Sequence, residues 1–151
     1  MIAPGLRALM TIDIEVGAAV EIGPARRCIP ILGGHFRGDA GEAALTGAVL
    51  AGADWQTILP DGALDIAAHY ALRSDDGAVI EVSSTGVRAG PAETLARLAR
   101  GEPVAPEDYY FRTSMRFVTT SLRHLRLNTV IAVSRGVRIP ARVHLDVFEL
   151  L

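Results

Sequence analysis

The segment that decides the fold spans residues 65–84 and reads DIAAHYALRSDDGAVIEVSS. In its first half, every second position belongs to one apolar face, formed by Ile66, Ala68, Tyr70 and Leu72. A period of two residues is typical of a half-buried β-strand, so we predict strands over Asp65–Arg73 and Ala78–Ser84. The tripeptide Asp75-Asp76-Gly77 between them predicts a tight hairpin turn, because Asp-Gly tolerates positive φ.

Similar strand-like patterns recur on both sides of this hairpin. The other predicted strands are Leu6–Val16, Arg27–Leu32 ending at Gly33-Gly34, Ala43–Leu50 with a bend at Gly47, Tyr109–Thr119, Leu127–Ser134 and Arg142–Leu150. About eight strands joined by short turns are typical of a barrel or a sandwich. The residues therefore predict an all-β fold.

One short α-helix interrupts the strands. Gly90-Pro91 opens it, since proline suits the first helical position, and Gly101 is placed to end it. Its apolar stripe consists of Leu95, Leu98 and Ala99. So short a helix is not stable alone in water, so we expect it to dock on the sheet and to close one end of the fold.

The composition indicates a single domain over residues 1–151 that needs no disulfide. Cys28 is the only cysteine of the 151 residues, and we expect it to be a buried, unreactive thiol. Hydrophobic residues make up 50% of the chain and the mean hydropathy is +0.29. Either the interior is large or another subunit covers apolar surface, and with exposed strand edges this favours a homodimer.

Charge and targeting signals narrow the possible partners. The net charge of −2 gives no general attraction to nucleic acid or to an anionic membrane. No apolar run approaches the roughly 20 residues of a membrane-spanning helix, and the first residues do not read as a secretory signal. We therefore expect a cytoplasmic protein without nucleic-acid or membrane partners.

The candidate site begins at residues 51–56, a short passage that reads as a turn between two strands. It places Asp54 beside Trp55, the only tryptophan. A carboxylate against an indole and an apolar wall is desolvated, which raises its pKa and suits a general acid or base. Alternatively, Asp54 caps a turn and Trp55 fills the core.

Arg88, Arg112 and Tyr70 are the other candidate catalytic residues. An arginine that faces inward has to be paired or hydrated, so Arg88 or Arg112 could bind a carboxylate, a carbonyl or a phenolate of a ligand. The alternative is a structural ion pair with Asp54 or Asp146. Tyr70 lies on a buried face, where its hydroxyl could donate to a carbonyl or enolate oxygen or could be satisfied within the core.

Further residues are expected to contact the ligand, namely Trp55, Tyr110, Phe111, Asn128 and His35. No metal is expected, since His144 and Asp146 on one face of the last strand supply only two ligands. His69 is predicted to be exposed, and His124 to lie in a basic surface loop. No organic cofactor is expected either, because the chain has no lysine for a Schiff base and no dinucleotide fingerprint.

Several passages resemble the family known as domain of unknown function 3237, also called uncharacterised protein family 0311. They are residues 29–38 (IPILGGHFRG), 47–56 (GAVLAGADWQ), 60–62 (PDG), 75–77 (DDG), 86–91 (GVRAGP), 109–113 (YYFRT), 127–128 (LN) and 146–147 (DV). The resemblance implies a closed or nearly closed antiparallel β-barrel, calycin-like in outline, with a ligand-sized interior. The chain departs from the family at Ser134-Arg135-Gly136, where a glycine-rich turn is usual, and at His124, where an aromatic residue is common.

Two functions fit these residues. The first is a cofactor-independent acid/base enzyme of isomerase, cyclase, hydratase or lyase type, acting on a small apolar carbonyl or phenolic compound inside the barrel. Asp54 would move the proton, and Arg88, Arg112 or Tyr70 would hold the oxygen. The second is a carrier or sensor of a small hydrophobic ligand, with the same residues only orienting it. A scaffold or assembly subunit is a third possibility.

Overall fold

The computed structural model describes residues 1–151, which form ten β-strands and one α-helix. The strands are β1 (Leu6–Val16), β2 (Val20–Gly23), β3 (Arg26–Gly38), β4 (Thr46–Val49), β5 (Gly52–Ile58), β6 (Leu64–Ser74), β7 (Val79–Ala89), β8 (Tyr110–Val118), β9 (Ile131–Ile139) and β10 (Arg142–Leu150). The helix α1 is Ala92–Ala99, and 3-10 turns occur at Ala40–Glu42, Pro106–Asp108 and Leu122–Thr129. None of the helical segments combines the length and the hydrophobicity that a membrane-spanning helix requires.

The sheet closes into an antiparallel barrel. Going round it, β1 pairs with β10, and β9, β8, β7 and β6 follow in turn. The next position is shared by β4 and β5, which both lie between β6 and β3, and the pairing of β3 with β1 completes the ring. The barrel therefore has eight strand positions, with β2 as an added edge strand on β3. The predicted closed all-β barrel is confirmed.

The central hairpin forms as the sequence predicts. β6 and β7 pair antiparallel with Leu72 opposite Ile80, and Gly77 has φ +86° in the turn between them. The Ser74 carbonyl accepts a hydrogen bond from the Gly77 amide at 2.8 Å, which closes the turn. Tyr70 faces the core at 4% exposure, whereas His69 is exposed on the outer face, as predicted.

The predicted end of the second strand at Gly33-Gly34 is wrong. β3 continues to Gly38, because Gly34 adopts φ +130° and passes so close to the Asp13 carbonyl that a side chain would collide with it. The pairing of β1 with β3 shifts register beside this point, which marks a β-bulge rather than a strand end. The bulge lets one strand pair with β1, β4 and β5.

The turn predicted around Asp54 is also wrong. Residues 52–58 form strand β5, which is bonded to β3 on one side and to β6 on the other. Leu50 and Ala51 make the break instead, and the strand predicted over Ala43–Leu50 is shortened to β4. Hydrogen bonding from two neighbours outweighs the weak strand propensity of glycine and aspartate here.

The prediction for the segment before β9 needs a correction as well. Leu127–Thr129 belongs to a 3-10 turn, and the strand begins at Ile131. His124, predicted at the surface, is buried at 5% exposure, and its Nε2 lies 3.1 Å from Asp76 Oδ2 in the β6–β7 turn. That contact attaches the 3-10 turn to the hairpin, which explains why the histidine is not solvated.

The barrel interior differs between its two ends. The end near the β6–β7 turn is filled by large side chains with almost no exposure, such as Phe36, Phe117, Leu72 and Ile80. At the opposite end, α1 packs across the opening with Leu98 buried and Leu95 partly buried, as the sequence predicts. Buried charged side chains that face the interior, such as Arg88, lie beneath this helix. The candidate site therefore lies at the helix end.

Candidate functional site

A cavity of about 230 Å³ lies at the end of the barrel that α1 covers. Its lining residues are Val16, Gly17, Ala18, Ala19, Arg27, Ile29, Asp54, Gln56, Arg88, Leu98, Ala99, Phe111, Arg138 and Val143. They come from β1, β3, β5, β7, β8, β9, β10 and α1, so closing the barrel is what brings them together. A concave space in which apolar walls surround converging polar groups is typical of a small-molecule site.

Asp54 is the only carboxylate that lines this cavity. Alternation along β5 turns Asp54 and Gln56 inward, and the Asp54 Oδ2 accepts a hydrogen bond from Gln56 Nε2 at 2.7 Å. The Gln56 Oε1 in turn accepts one from Arg27 Nε at 2.9 Å, which fixes the amide orientation. The Asp54 Oδ1 is buried and has no partner in the chain. One oxygen is therefore held in place by Gln56, while the other is buried without a hydrogen-bond partner.

Burial raises the pKa of Asp54 above its ordinary value. The hydrogen bond from Gln56 and the positive charges of Arg88 and Arg27 act in the opposite direction, but desolvation is the larger effect. A carboxylate with a raised pKa is a stronger base than an ordinary aspartate. The environment of Asp54 therefore suits a general base or acid.

Arg88 reaches the same cavity from β7, opposite Phe111 on β8. Its side chain is 8% exposed, and its guanidinium carbon lies 5.9 Å from the centroid of the Phe111 ring. The Arg88 Nε is buried without a hydrogen-bond partner in the chain. Burial, with repulsion from Arg138 and Arg27, lowers the pKa of Arg88 to about 10, so the group still carries its charge at neutral pH.

Tyr70 lies deeper than the cavity lining, beneath Asp54. Its hydroxyl is buried without a partner in the chain. Burial and the nearby charge of Asp54 raise the pKa of Tyr70, which keeps the hydroxyl protonated and able to donate. Asp54, Arg88 and Tyr70 thus lie in one region of the interior, each with an unpaired polar atom.

Two arginines of the cavity were missed by the reading of the sequence. Arg27 enters from β3 and Arg138 from β9. The Tyr109 hydroxyl accepts a hydrogen bond from the Arg138 backbone amide at 2.8 Å, and the Arg138 guanidinium donates to the carbonyls of Ile139 and Arg142. Strand alternation could have revealed both, since Arg27 shares a face with Ile29 and Ile31.

Arg112 does not enter the barrel, and the expectation that it faces inward is wrong. Along β8, Phe111 and Thr113 point inward while Tyr110 and Arg112 point outward. Arg112 stacks on the Tyr110 ring at 5.0 Å and donates to the Phe111 carbonyl at 2.9 Å. Trp55 is likewise on the outer face, 42% exposed, because it follows Asp54 on a strand and successive side chains point to opposite faces. The contact between Asp54 and the indole predicted from the sequence is therefore wrong.

His35 and Asn128 also lie away from the cavity, whereas Phe111 lines it. His35 is on the outer face, with its Nε2 3.3 Å from Asp13 Oδ2. Asn128 holds the chain at Thr119, accepting from its amide at 2.8 Å and donating to its carbonyl at 2.9 Å. The two residues thus have structural partners outside the interior.

His144 and Asp146 do share one face, as the sequence indicates, but they form part of a hydrogen-bonded row on the outside of the barrel. His144 Nδ1 lies 2.9 Å from Asp13 Oδ1, and its Nε2 lies 3.2 Å from Asp146 Oδ1. Both ring nitrogens are thereby engaged with carboxylates. Cys28 is half-buried on the outer face, opposite Trp55.

A larger groove of about 540 Å³ runs along the outside of β7, β8 and β9. It includes Tyr110, Arg112 and Arg135, and the two arginines face each other across the β8–β9 pair. Arg135 pairs with Glu107 at 3.2 Å. No acid lines this groove, so it offers no acid/base pair, and the smaller interior cavity is the better candidate site.

Comparison with known proteins shows close relatives across nearly the whole chain. A family model described as protein of unknown function (DUF3237) matches residues 4–150. A UPF0311 protein of Rhodopseudomonas palustris is 43% identical over 139 residues, covering 91% of this chain and 88% of that protein. The crystal structure of a conserved protein of unknown function from the same species has a TM-score of 0.94 and 39% identity, covering 100% of this chain and 99% of the other.

Two further structures share the fold. A beta-barrel like protein from Acinetobacter baumannii has a TM-score of 0.83 and 37% identity, covering 100% of this chain and 98% of that one. A protein from Penicillium herquei, described as an enzyme, has a TM-score of 0.72 and 20% identity, covering 100% and 97%. The second likeness concerns the fold alone.

Proposed function

The chain belongs to the family of proteins of unknown function DUF3237, and from that premise we propose that it is a cofactor-independent acid/base enzyme. Its substrate is a small carbonyl or phenolic compound bound in the cavity beneath α1. The observation that carries the proposal is the free, buried Oδ1 of Asp54, which shares one cavity with the unpaired guanidinium of Arg88. A base beside a fixed positive charge is the minimum equipment for enolisation.

The chemistry follows from these two groups. Asp54 removes a proton from the carbon next to a carbonyl, and the electron pair of that C–H bond moves to the oxygen. The positive charge of Arg88 and of its neighbours Arg27 and Arg138 stabilises the resulting enolate oxygen. In an isomerisation Asp54 then returns the proton to a different carbon, and in an elimination it gives the proton to the leaving oxygen as the C–O bond breaks. Hydration and cyclisation run in the opposite direction: Asp54 takes the proton from the attacking oxygen as the C–O bond forms and delivers it to the enolate carbon.

The surrounding residues have supporting roles in this proposal. Gln56 is a positioning residue, because its hydrogen bond fixes one oxygen of Asp54 and leaves the other without a partner. The helix α1 limits water access by placing Leu98 and Ala99 over the cavity, which strengthens electrostatic interactions inside it. The Tyr70 hydroxyl, which lies beneath Asp54, is a second hydrogen-bond donor to the substrate oxygen in this proposal.

The Penicillium herquei protein is described as an enzyme, which agrees with catalysis on this barrel. At 20% identity that likeness carries the fold only, so the proposal depends on the geometry of Asp54 and Arg88. The experiment has to detect proton abstraction without knowledge of the product. Incubation in D₂O with a panel of cyclic enones, aryl ketones and acylphenols, followed by ¹H NMR, reports deuterium exchange at carbon directly.

The variant Asp54→Asn tests the assignment of the base. We expect exchange to fall by at least about 100-fold, since general acid/base catalysis contributes about 10²–10⁴-fold. Asp65→Asn is the matched control, because Asp65 is an exposed carboxylate on the outer face of β6 and should leave the rate unchanged. Full exchange by Asp54→Asn refutes the base assignment, and an absence of exchange with every compound that binds refutes catalysis.

A carrier of small ligands is the second candidate function. The apolar side chains of Ile29, Leu98, Phe111 and Val143 favour it, because they wall much of the cavity and could hold a ligand without reaction. Native mass spectrometry of the purified protein tests it. A retained compound at near-stoichiometric occupancy, together with no deuterium exchange into that compound, would favour the carrier.

A further inference from the structure

We propose that Arg27, Arg88 and Arg138 form an anion subsite and that the substrate is a small aromatic or alicyclic carboxylate. The inference rests on the proposed function, since it concerns the same cavity, but it adds the charge of the substrate. It depends on the balance of charges beneath α1 and on the hydrogen bonds that each arginine does and does not make.

The cavity carries an excess of positive charge. Its lining contains three guanidinium groups, those of Arg27, Arg88 and Arg138, against the single carboxylate of Asp54. The three groups are close enough for Arg138 and Arg27 each to disfavour the charged form of Arg88, and for Arg27 to do the same to Arg138. Like charges in a desolvated space are costly unless an anion compensates them.

Asp54 does not supply that compensation. It attracts Arg88 through space, but no hydrogen-bonded ion pair joins them, and the Asp54 Oδ1 and the Arg88 Nε both lack partners. Burial raises the pKa of Asp54, so desolvation works against its negative charge rather than for it. The Asp54 carboxylate therefore stays unpaired and available as a base, and the three arginines retain an excess of positive charge.

The three arginines differ in how their donors are used. Arg27 donates to Gln56, and Arg138 donates to the backbone carbonyls of Ile139 and Arg142. The Arg88 guanidinium lies over the face of Phe111, and its buried Nε makes no hydrogen bond with the chain. A buried guanidinium presents a planar fork of donors that matches a carboxylate with two parallel hydrogen bonds. Arg88 is therefore the primary anchor, and the other two add charge.

The rest of the cavity defines the body of the ligand. Ile29, Phe111 and Val143 are apolar walls, and the volume of about 230 Å³ suits one compact ring with short substituents. A carboxylate anchored at Arg88 places that ring against these walls and beside the free oxygen of Asp54. The anchor would thus fix which C–H bond faces the base.

Benzoate is a suitable probe, with benzamide as its neutral counterpart of nearly the same shape. Binding is measured by isothermal titration calorimetry at constant ionic strength, with sodium chloride replacing sodium benzoate in the control. We expect benzoate to bind at least tenfold more tightly than benzamide. Equal affinities for the two compounds overturn the inference.

Variants locate the subsite. Arg88→Gln should weaken benzoate binding at least tenfold, Arg138→Gln should weaken it by a smaller factor, and Asp54→Asn should leave it unchanged or tighter. Arg112→Gln is the matched control, because that arginine lies on the outer groove. Equal loss in Arg112→Gln and Arg88→Gln overturns the inference. Arg88→Lys retains the charge. It replaces Arg88→Gln if circular dichroism shows that Arg88→Gln does not fold.

The outcomes separate this inference from the proposed function. Asp54-dependent deuterium exchange with neutral ketones, without selective benzoate binding, supports the enzyme and overturns the anion subsite. Selective, Arg88-dependent benzoate binding without exchange into any bound carboxylate supports the subsite and refutes the enzyme. Both results together support both.

Discussion

Tyr70→Phe is the sharpest test of the polar interior, because it should raise the stability of the protein and at the same time slow its turnover. The Tyr70 hydroxyl is buried, the residue is 4% exposed, and no group of the chain bonds that oxygen. An unsatisfied buried polar group costs about 1–3 kcal/mol. Removing the hydroxyl leaves the ring packing intact, so we expect the free energy of unfolding to rise by roughly that amount.

Urea denaturation followed by circular dichroism measures the change. For a chain of this size, each kcal/mol moves the melting temperature by about 2–4 °C, so calorimetry gives an independent value. Tyr109→Phe is the matched control. The Tyr109 hydroxyl accepts a hydrogen bond from the Arg138 amide at 2.8 Å, and its loss should lower stability by about 1–3 kcal/mol.

The same variant tests whether Tyr70 acts on the ligand. A hydroxyl that donates to the substrate oxygen should contribute to turnover, so Tyr70→Phe should exchange deuterium several-fold more slowly despite its greater stability. Such a trade-off is common where an active site keeps an unsatisfied group. A loss of stability of 1 kcal/mol or more would show that the hydroxyl has a partner and would falsify the reasoning. Unchanged exchange would remove Tyr70 from the site.

Three further predictions concern the barrel wall and its outer face. Gly136→Ala should lower the free energy of unfolding by about 1–3 kcal/mol in urea, because the added methyl group would press into the Phe111 ring, and an unchanged midpoint would contradict that packing. Burial opposes protonation of His144, but hydrogen bonds with Asp13 and Asp146 outweigh it and raise its pKa. Its stabilising effect should therefore be complete below the ordinary histidine pKa of about 6.5 and disappear as pH rises through the higher folded value. The difference in unfolding free energy between the wild type and His144→Gln should thus shrink from pH 6 to pH 8.5, and a difference that grows would reverse the assignment. We also propose a homodimer through the outward row of Val20, Cys28, Trp55 and Ala67, which pair across β2, β3, β5 and β6. Trp55→Arg should then give a monomer by light scattering where the wild type gives a dimer, and a monomeric wild type at micromolar concentration would exclude this interface.

The local features of the fold were predictable from the sequence. The β6–β7 hairpin and α1 follow from period, turn residues and caps within a short stretch, and the structure has both. The strand around Asp54 was not predictable from the sequence, since Gly52 and Asp54 are weak strand formers. Only hydrogen bonding to β3 and β6 makes these residues a strand. The continuation of β3 through Gly34 depended in the same way on the close approach of β1.

The candidate site was predictable only in part. Asp54, Tyr70, Arg88 and Phe111 do lie together in the interior, whereas Arg112, Tyr110 and Trp55 are on the outer face. The alternation of side chains along a strand decides which residues face the interior. A shift of one position in an assumed strand moves every side chain to the opposite face of the sheet. Alternation places Arg27 on the same face as Ile29 and Ile31, but only closure of the barrel brings it and Arg138 into one cavity with Arg88.

By itself, the order of residues determined most of the strands, the hairpin and helix, and the faces on which apolar side chains alternate in them, because those properties depend on neighbours close in the chain. Only the closed barrel decided that residues from eight separate elements share one cavity, and that three positive groups meet one acid there. The reason is physical: the register between distant strands is set by the bulge at Gly34 and by closure of the ring, and neither is contained in a local pattern.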